Sequence, residues 1–163
     1  MSPSFMIRCV IVLAMARPGL CEAARVGQLE VRSGNGGAPC FTVSEAEEKR
    51  GGAPDFQSIT VSDPTGGVKA IMWNMAMPGQ RTFPVSFRMC VPYAGRLPVL
   101  PQTPAAMLQP GRVYEVAIEA RRPVGAGAPR SYRARFCVAR EGAGVRDVRS
   151  TGAEGRQRYV CAP

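Results

Sequence analysis

Glycine and proline interrupt this chain so often that no segment keeps the apolar repeat of a long helix. Short runs rich in Val, Ile, Phe, Tyr and Thr lie between the interruptions, and these residues favour β-strands. We predict strands at the following positions: 26–33, 39–44, 56–62, 68–77, 82–92, 112–121, 131–140 and 156–161. This spacing predicts an all-β fold, a β-sandwich of about 7–8 strands. The only helix candidate is the acidic turn 44–49, and the proline-rich segment 93–111 predicts a long crossover.

Two of these strands alternate cleanly enough to predict their pairing. Apolar residues alternate with glutamates in 112–121 and with arginines in 131–140. A hairpin that turns at residues 125–127 buries both apolar faces and brings opposite charges together on the other face. The predicted cross-strand pairs are Ile118 with Phe136, Val116 with Val138, and Glu119 with Arg135.

The N-terminus has the pattern of a secretory signal peptide. One basic residue, Arg8, precedes a short apolar run at 9–16, and the small residues Cys21 and Ala23 occupy the two positions expected before a cleavage site. The run is far shorter than the ~20 residues of a membrane span. We expect cleavage near Ala23, which makes 1–23 the signal segment and 24–163 a single domain, periplasmic or secreted. Pro18-Gly19-Leu20 before Cys21 does not match the small-residue motif of a lipid anchor, so we expect cleavage without lipidation.

Export makes disulfides the ordinary state of the remaining cysteines. They are widely spaced, without a C-x-x-C pair, which excludes zinc fingers and thioredoxin-like sites. These cysteines are Cys40, Cys90, Cys137 and Cys161. Four cysteines allow three pairings, and we favour Cys40 with Cys90 and Cys137 with Cys161.

The composition argues against catalysis. Histidine is absent, which removes the usual general base and the commonest metal ligand. We expect Asp55 and Asp63 to lie isolated in turns, and Glu45, Glu47 and Glu48 to form one solvated cluster. No residue has the pattern of an activated nucleophile or a supported general base. We therefore expect a protein that is not an enzyme and carries no cofactor.

The net charge of +9 comes almost entirely from arginine. Loss of Arg8, Arg17 and Glu22 with the signal segment would leave +8. The arginines that flank the turn at 123–130, where a sandwich presents its binding loops, are the predicted partner-binding residues: Arg121, Arg122 and Arg130. We expect an acidic protein partner and no nucleic acid, since few exposed aromatic residues interleave the arginines. The alternative is that neighbouring glutamates neutralise the arginines, which then only keep the protein soluble.

The segment 72–77 contains three methionines around Trp73. Thioether ligands bind Cu(I), so a copper or small-ligand carrier is one interpretation. The alternation favours another, in which Ile71, Trp73, Met75 and Met77 share a buried face. Trp73 is then the buried tryptophan of the sandwich.

Residues 108–120 resemble a segment of fibronectin type III and related immunoglobulin-like domains, whose pattern is L-x-P-G-x-x-Y-x-V-x-I-x-A. The resemblance implies that Tyr114 is a corner tyrosine whose hydroxyl bonds back to the preceding loop. It implies that Leu108 packs under this ring. A resemblance of this kind indicates architecture and not function.

A second resemblance spans more of the chain. Ala38-Pro-Cys-Phe-Thr-Val43, Met89-Cys-Val-Pro92 and Tyr114-Glu-Val-Ala-Ile118 follow the order found in periplasmic putative immunity proteins of type VI secretion. The resemblance implies an exported sandwich that neutralises a toxin by binding it. An envelope structural subunit, or a secretion or adhesin accessory, is the alternative of a different class.

Overall fold

The fold was obtained as a computed structural model that describes residues 25–79, 81–95, 100–121, 128–141 and 145–151. These residues are mostly β, with one short helix among them. The strands are β1 (Val26–Ser33), β2 (Pro39–Val43), β3 (Asp55–Asp63), β4 (Ala70–Ala76), β5 (Phe83–Pro84), β6 (Val91–Pro92), β7 (Val113–Ala120), β8 (Ser131–Glu141) and β9 (Val145–Thr151). A 3-10 turn (Asn35–Gly37) lies between β1 and β2, and helix α1 (Glu45–Gly51) follows β2.

The strands form one curled, mixed sheet in the order β4-β3-β7-β8-β1-β2-β6. Strand β5 pairs with β3, and β9 pairs with β8. Strand β1 has two partners: residues 26–28 run parallel to β8, and residues 29–33 pair antiparallel with β2. The pairing direction therefore changes along β1, and buried side chains of β2, β3, β4, β7 and β8 form one core cluster.

The core is built by alternation along the central strands. On β7 and β8, the faces predicted to be apolar are buried, which confirms the two-face pattern. Phe136 of β8 contacts Phe41 of β2 and Tyr114 of β7, with ring centroids 5.4 and 5.7 Å apart. The largest fully buried side chains are Trp73, Tyr114, Phe41, Phe56, Phe136, Ile59, Met75 and Ile118.

The predicted β7–β8 register was wrong. Ile118 lies opposite Tyr132 and not Phe136, Val116 lies opposite Ala134 and not Val138, and Glu119 lies opposite Ser131 and not Arg135. The predicted pairing differs from the observed one by an even number of residues, which leaves every side chain on its own face. Apolar alternation alone therefore could not distinguish the two pairings.

A β-bulge corrects the predicted face of β4. The register between β3 and β4 shifts between Val61 and Ser62, so that Val61 pairs with Trp73 while Ser62 pairs with Ile71. The extra residue turns Ile71 away from the core, and it is 64% exposed. The prediction that Ile71 shares the buried face of Trp73 and Met75 was therefore wrong.

The predicted strand at 82–92 is mostly a connection. Only the short strands β5 and β6 form in it, and a turn closed by the Met89 N–H bond to the Ser86 carbonyl separates them (3.0 Å). Proline at 84 and 92 removes two ladder donors, which limits pairing here. Strand β9 was not predicted, and the predicted strand at 156–161 lies outside the described residues.

The predicted acidic helix at 44–49 is present as α1. The Ser44 hydroxyl caps it by accepting a hydrogen bond from the Glu47 amide (3.3 Å). Acidic residues occupy its first turn and basic residues its last, as the helix dipole favours. Gly52 ends the helix at φ +76°, a conformation that glycine adopts most easily.

The Cys40–Cys90 disulfide is present, which confirms this predicted pair. It joins β2 to the residue just before β6, across a separation of 50 residues. Cys137 is fully buried and disulfide-bonded as well. Its predicted partner, Cys161, lies outside the described residues, and so does the predicted signal segment 1–23.

The outer edge of β4 is covered by residues 101–106, the middle of the predicted crossover. The Ala76 N–H donates to the Pro101 carbonyl, and the Thr103 and Ala106 N–H groups donate to Asn74 and Met72 (2.8–3.0 Å). We call residues 101–106 the edge strap. It occupies backbone groups that would otherwise be open to another strand.

Candidate functional site

A cleft of about 250 Å³ opens at the base of the β7–β8 hairpin. We call it the hairpin cleft. The following residues line it: Gly51, Gly52, Ala53, Pro54, Asp55, Ala120, Arg121, Ala128, Pro129 and Tyr132. Small side chains form most of the wall, so the backbone of the α1–β3 connection comes close to the opening. The cleft is bounded by the ends of regular elements, which hold its shape.

Hydrogen bonds between backbones fix the two sides of the hairpin cleft. The Ala120 N–H donates to the Arg130 carbonyl at 2.7 Å, which closes the base of the hairpin. The Arg121 N–H donates to the Asp55 carbonyl at 2.9 Å, which ties the hairpin to the start of β3. The positions of Arg121 and Arg130 are therefore set by main-chain contacts.

A partly buried ion pair lies near Tyr132, one of the residues that line the hairpin cleft. The Arg25 guanidinium donates to Glu47 Oε1 at 2.7 Å, and Arg50 contacts the same oxygen at 3.4 Å. The hydrogen bond that Arg25 donates to Glu47 raises the pKa of Arg25. Burial, followed by the negative charge of Glu47, raises the pKa of Tyr132. Tyr132 therefore stays a neutral phenol at physiological pH.

The predicted partner-binding residues have different environments. Arg130 is exposed and has no ion pair with any described residue. Arg121 is half-buried in the wall of the hairpin cleft. Arg122 lies outside the described residues. Arg121 therefore lines the hairpin cleft, whereas Arg130 follows the lining residue Pro129 and its carbonyl accepts the Ala120 N–H bond at the hairpin base, a placement that their sequence spacing alone does not define.

Tyr114 and Leu108 lie together at the entry to β7. The Tyr114 hydroxyl accepts a hydrogen bond from the Gln109 N–H at 2.8 Å, and its ring is fully buried. Leu108 is buried in the same core. This contact ties the end of the crossover to the hairpin, so it positions the strand that carries Arg121.

Trp73 is fully buried, and its ring contacts Tyr93 edge-on with centroids 5.5 Å apart. The Tyr93 hydroxyl donates to the Ala106 carbonyl at 2.7 Å, and burial raises the pKa of Tyr93 to about 12. Among the neighbouring methionines, Met75 is in the core, while Met72 and Met77 are partly buried against it. Over the described ranges, no group of three His, Cys, Asp or Glu side chains is placed to hold a metal ion.

A second cleft, of about 290 Å³, lies beside the disulfide. We call it the disulfide cleft. Its lining is almost entirely apolar and consists of Met75, Phe83, Met89, Cys90, Val91, Pro92 and Gly95. A Cβ at Gly95 would come within 2.7 Å of the Pro92 ring, so this position requires glycine. The sequence did not predict this cleft, because its pattern predicted one continuous strand over residues 82–92. Arg81 and Arg88, which are exposed and close in sequence to the lining residues Phe83 and Met89, were the feature of the sequence that could have indicated a site here.

None of the described residues belongs to a helix that is long and apolar enough to cross a membrane. Comparisons with family models, with curated proteins and with solved structures find no match to this chain.

Proposed function

We propose that this chain is an exported, non-catalytic binding protein that holds an acidic protein partner. The best candidate of this class is a periplasmic immunity or inhibitor protein that neutralises a toxin. The observation that carries the proposal is the arginine-bearing hairpin cleft: Arg130 is exposed and has no ion pair with any described residue, and Arg121 lies in the wall beside it. Binding sites commonly lie on loops that a rigid sheet positions.

An immunoglobulin-like β-sandwich is the architecture that we propose for the domain. The exchange of partners along β1 supports two packed arms, and Phe41 packs on Phe136 between them. The bond from Gln109 to the Tyr114 hydroxyl supports a corner tyrosine. Architecture of this kind hosts many functions, so it supports the class of scaffold only.

The resemblance to putative type VI immunity proteins gains support from the disulfide. The Cys-Phe strand and the Cys-aliphatic-Pro strand of that resemblance are β2 and the start of β6, and Cys40 and Cys90 join them. Phe41 and Val91 are register partners next to this bond. Two of the three segments that carry the resemblance are thus neighbours in the fold, and the third, Tyr114–Ile118, lies in β7.

Co-expression tests the proposal. The chain, with its N-terminal segment, is expressed with a candidate periplasmic toxin, and growth is measured. We expect the wild type to protect the cells. Arg130→Glu should lower the affinity for the toxin about tenfold and weaken the protection, because reversal of one rim charge repels an acidic partner. The matched control is Arg133→Glu, an exposed arginine on the outer face of β8. Equal loss in both variants, or no protection by the wild type with any effector, would reject the proposal.

The alternative function, an envelope assembly subunit, requires a different structural feature. A subunit that assembles by strand addition needs an open edge, whereas the edge strap occupies the outer edge of β4. The exposed apolar residues Val68, Ile71 and Met107 favour this alternative, since such side chains often mark contacts between proteins. Light scattering separates the two functions: a monomer supports the binding protein, and concentration-dependent oligomers support the assembly subunit.

A further inference from the structure

We propose that the disulfide cleft is a second docking surface, which takes one large apolar side chain from an acidic segment of the partner. This inference rests on the proposed function, because it supplies another contact for the same protein. It differs in place, since the disulfide cleft and the hairpin cleft share no lining residue.

The lining of the disulfide cleft suits an apolar anchor. Met75 and Val91 are buried, and Met89, which is 43% exposed, lies at the opening. A volume of about 290 Å³ accommodates a side chain of the size of leucine or phenylalanine, since a cavity of about 150 Å³ already binds benzene. Methionine is flexible and polarizable, so Met75 and Met89 can adapt to the shape of the anchor.

The walls of the disulfide cleft are held before any partner arrives. Thr42 Oγ1 donates to the Ser86 carbonyl at 2.9 Å, and the Arg32 guanidinium donates to the Phe87 carbonyl at 3.0 Å. Arg32 also stacks on the Phe87 ring at 4.2 Å from its centroid. The disulfide then fixes Cys90 to β2. A preorganised site loses little conformational freedom on binding.

Charge selects the kind of partner. Arg81 and Arg88 are exposed, they lie close in sequence to the lining residues Phe83 and Met89, and neither has an ion pair with a described residue. Two exposed arginines within two residues of the cleft lining favour a segment in which acidic residues flank the apolar anchor. Anchors of this kind, buried centrally with charges at the rim, are typical of binding hot spots.

Methyl NMR tests this inference directly. The protein carries ¹³C-methyl methionine and is titrated with the peptide Glu-Asp-Ser-Leu-Ser-Asp-Glu. We expect the Met89 and Met75 methyl signals to shift, while the signal of Met107, an exposed methionine that does not line this cleft, stays in place. Affinity should fall at least tenfold when the peptide leucine is replaced by alanine, and at least tenfold when its acidic residues are replaced by lysine.

Matched variants identify the rim charges. Arg88→Glu should weaken binding of the acidic peptide at least tenfold, whereas Arg133→Glu should change it less than twofold. Both arginines are exposed, so both variants should fold, and the remaining methyl signals verify this.

Three results would overturn the inference. The first is an equal affinity for the leucine and alanine peptides, or no peptide binding at all. The second is binding that leaves Met89 and Met75 unperturbed, which rejects this cleft but leaves the proposed function in place. The third is a titration with indole, in place of the peptide, that shifts the Met89 methyl signal as far as the peptide does. This result would make the cleft a small-molecule site. Toxin co-expression tests the proposed function separately.

Discussion

The tyrosines of the β7–β8 hairpin are both buried, but their hydroxyls have different surroundings. Tyr114 Oη accepts from the Gln109 N–H at 2.8 Å. Tyr132 Oη makes no hydrogen bond with any described residue. A residue that looks equivalent by alternation can therefore have a different role, which the sequence pattern does not predict.

We predict that Tyr114→Phe lowers the free energy of unfolding by about 1 kcal/mol, because it removes one hydrogen bond within the fold. The matched control, Tyr132→Phe, should change the free energy of unfolding by less than about 0.5 kcal/mol. Urea unfolding followed by tryptophan fluorescence measures both. Equal losses in the two variants would contradict the corner contact.

Asp63 gives the fold a pH dependence. Hydrogen bonds from the Thr65 hydroxyl and amide hold the pKa of Asp63 below its ordinary value, and the Arg112 guanidinium, 2.7 Å away, adds to this effect. A lowered pKa means that Asp63 stabilises the fold above the unfolded-state pKa of about 4. This contribution is lost as the pH falls through the lower, folded-state pKa.

We predict that Asp63→Asn destabilises the protein at pH 7, and that the difference from the wild type shrinks as the pH falls below about 4. Urea unfolding at pH 7 and at pH 2.5 measures this difference. Glu48→Gln, which removes a half-buried carboxylate of α1 that has no ion pair with a described residue, is the control and should behave like the wild type at both values. A difference that is independent of pH would contradict the prediction.

At the scale of elements, the sequence predicted strand positions better than strand pairing. Strands β1, β2, β3, β4, β7 and β8 and helix α1 form close to the predicted positions. The strand residues alternate strongly between apolar and polar, and the helix has an N-terminal cap, Ser44. The local sequence is therefore sufficient to predict these elements. Register is not local: slippage by an even number of residues keeps every face, so only the turn and the packing decide it.

The bulge in β4 is a second example of information that alternation does not contain. One extra residue reverses every face beyond it, so Ile71 reads as core in the sequence and is exposed in the fold. The clefts were missed for a related reason. They form where residues that favour β-structure do not join the hydrogen-bonded sheet, as at 85–90 between β5 and β6.

We predict that Ile71→Ser changes the free energy of unfolding by less than about 0.5 kcal/mol, as is usual for exposed positions. Met75→Ala, four residues along the same strand, should lower it by about 2–5 kcal/mol, because Met75 is 1% exposed in the core. Chemical denaturation of the pair measures both values. A large loss for Ile71→Ser would place Ile71 in the core and contradict the bulge.

At the scale of the whole molecule, the Cys40–Cys90 disulfide closes residues 40–90 into one loop. The bond restricts the unfolded chain across a separation of 50 residues. It also fixes a wall of the disulfide cleft, so stability and the proposed docking surface depend on the same bond. The sequence favoured this pair among three possible pairings, whereas a cleft beside it required the fold of residues 83–95.

We predict that the double variant Cys40→Ala, Cys90→Ala lowers the free energy of unfolding by about 2–4 kcal/mol, chiefly because the unfolded chain gains freedom. Thermal and urea unfolding measure the loss. The control is Val68→Ala, a change at an exposed apolar residue in the connection between β3 and β4. An unchanged stability in the double variant would contradict a structural role for the disulfide.

The proposal of an exported binding protein depends on passage into an oxidising compartment, and intact-mass spectrometry tests this most directly. The full chain is expressed in a Gram-negative host, the periplasmic fraction is treated with iodoacetamide without reductant, and the mass is measured. The account predicts a chain that begins near residue 24, in the periplasm, with no alkylated cysteine. An untrimmed chain in the cytosol with alkylated thiols would contradict it.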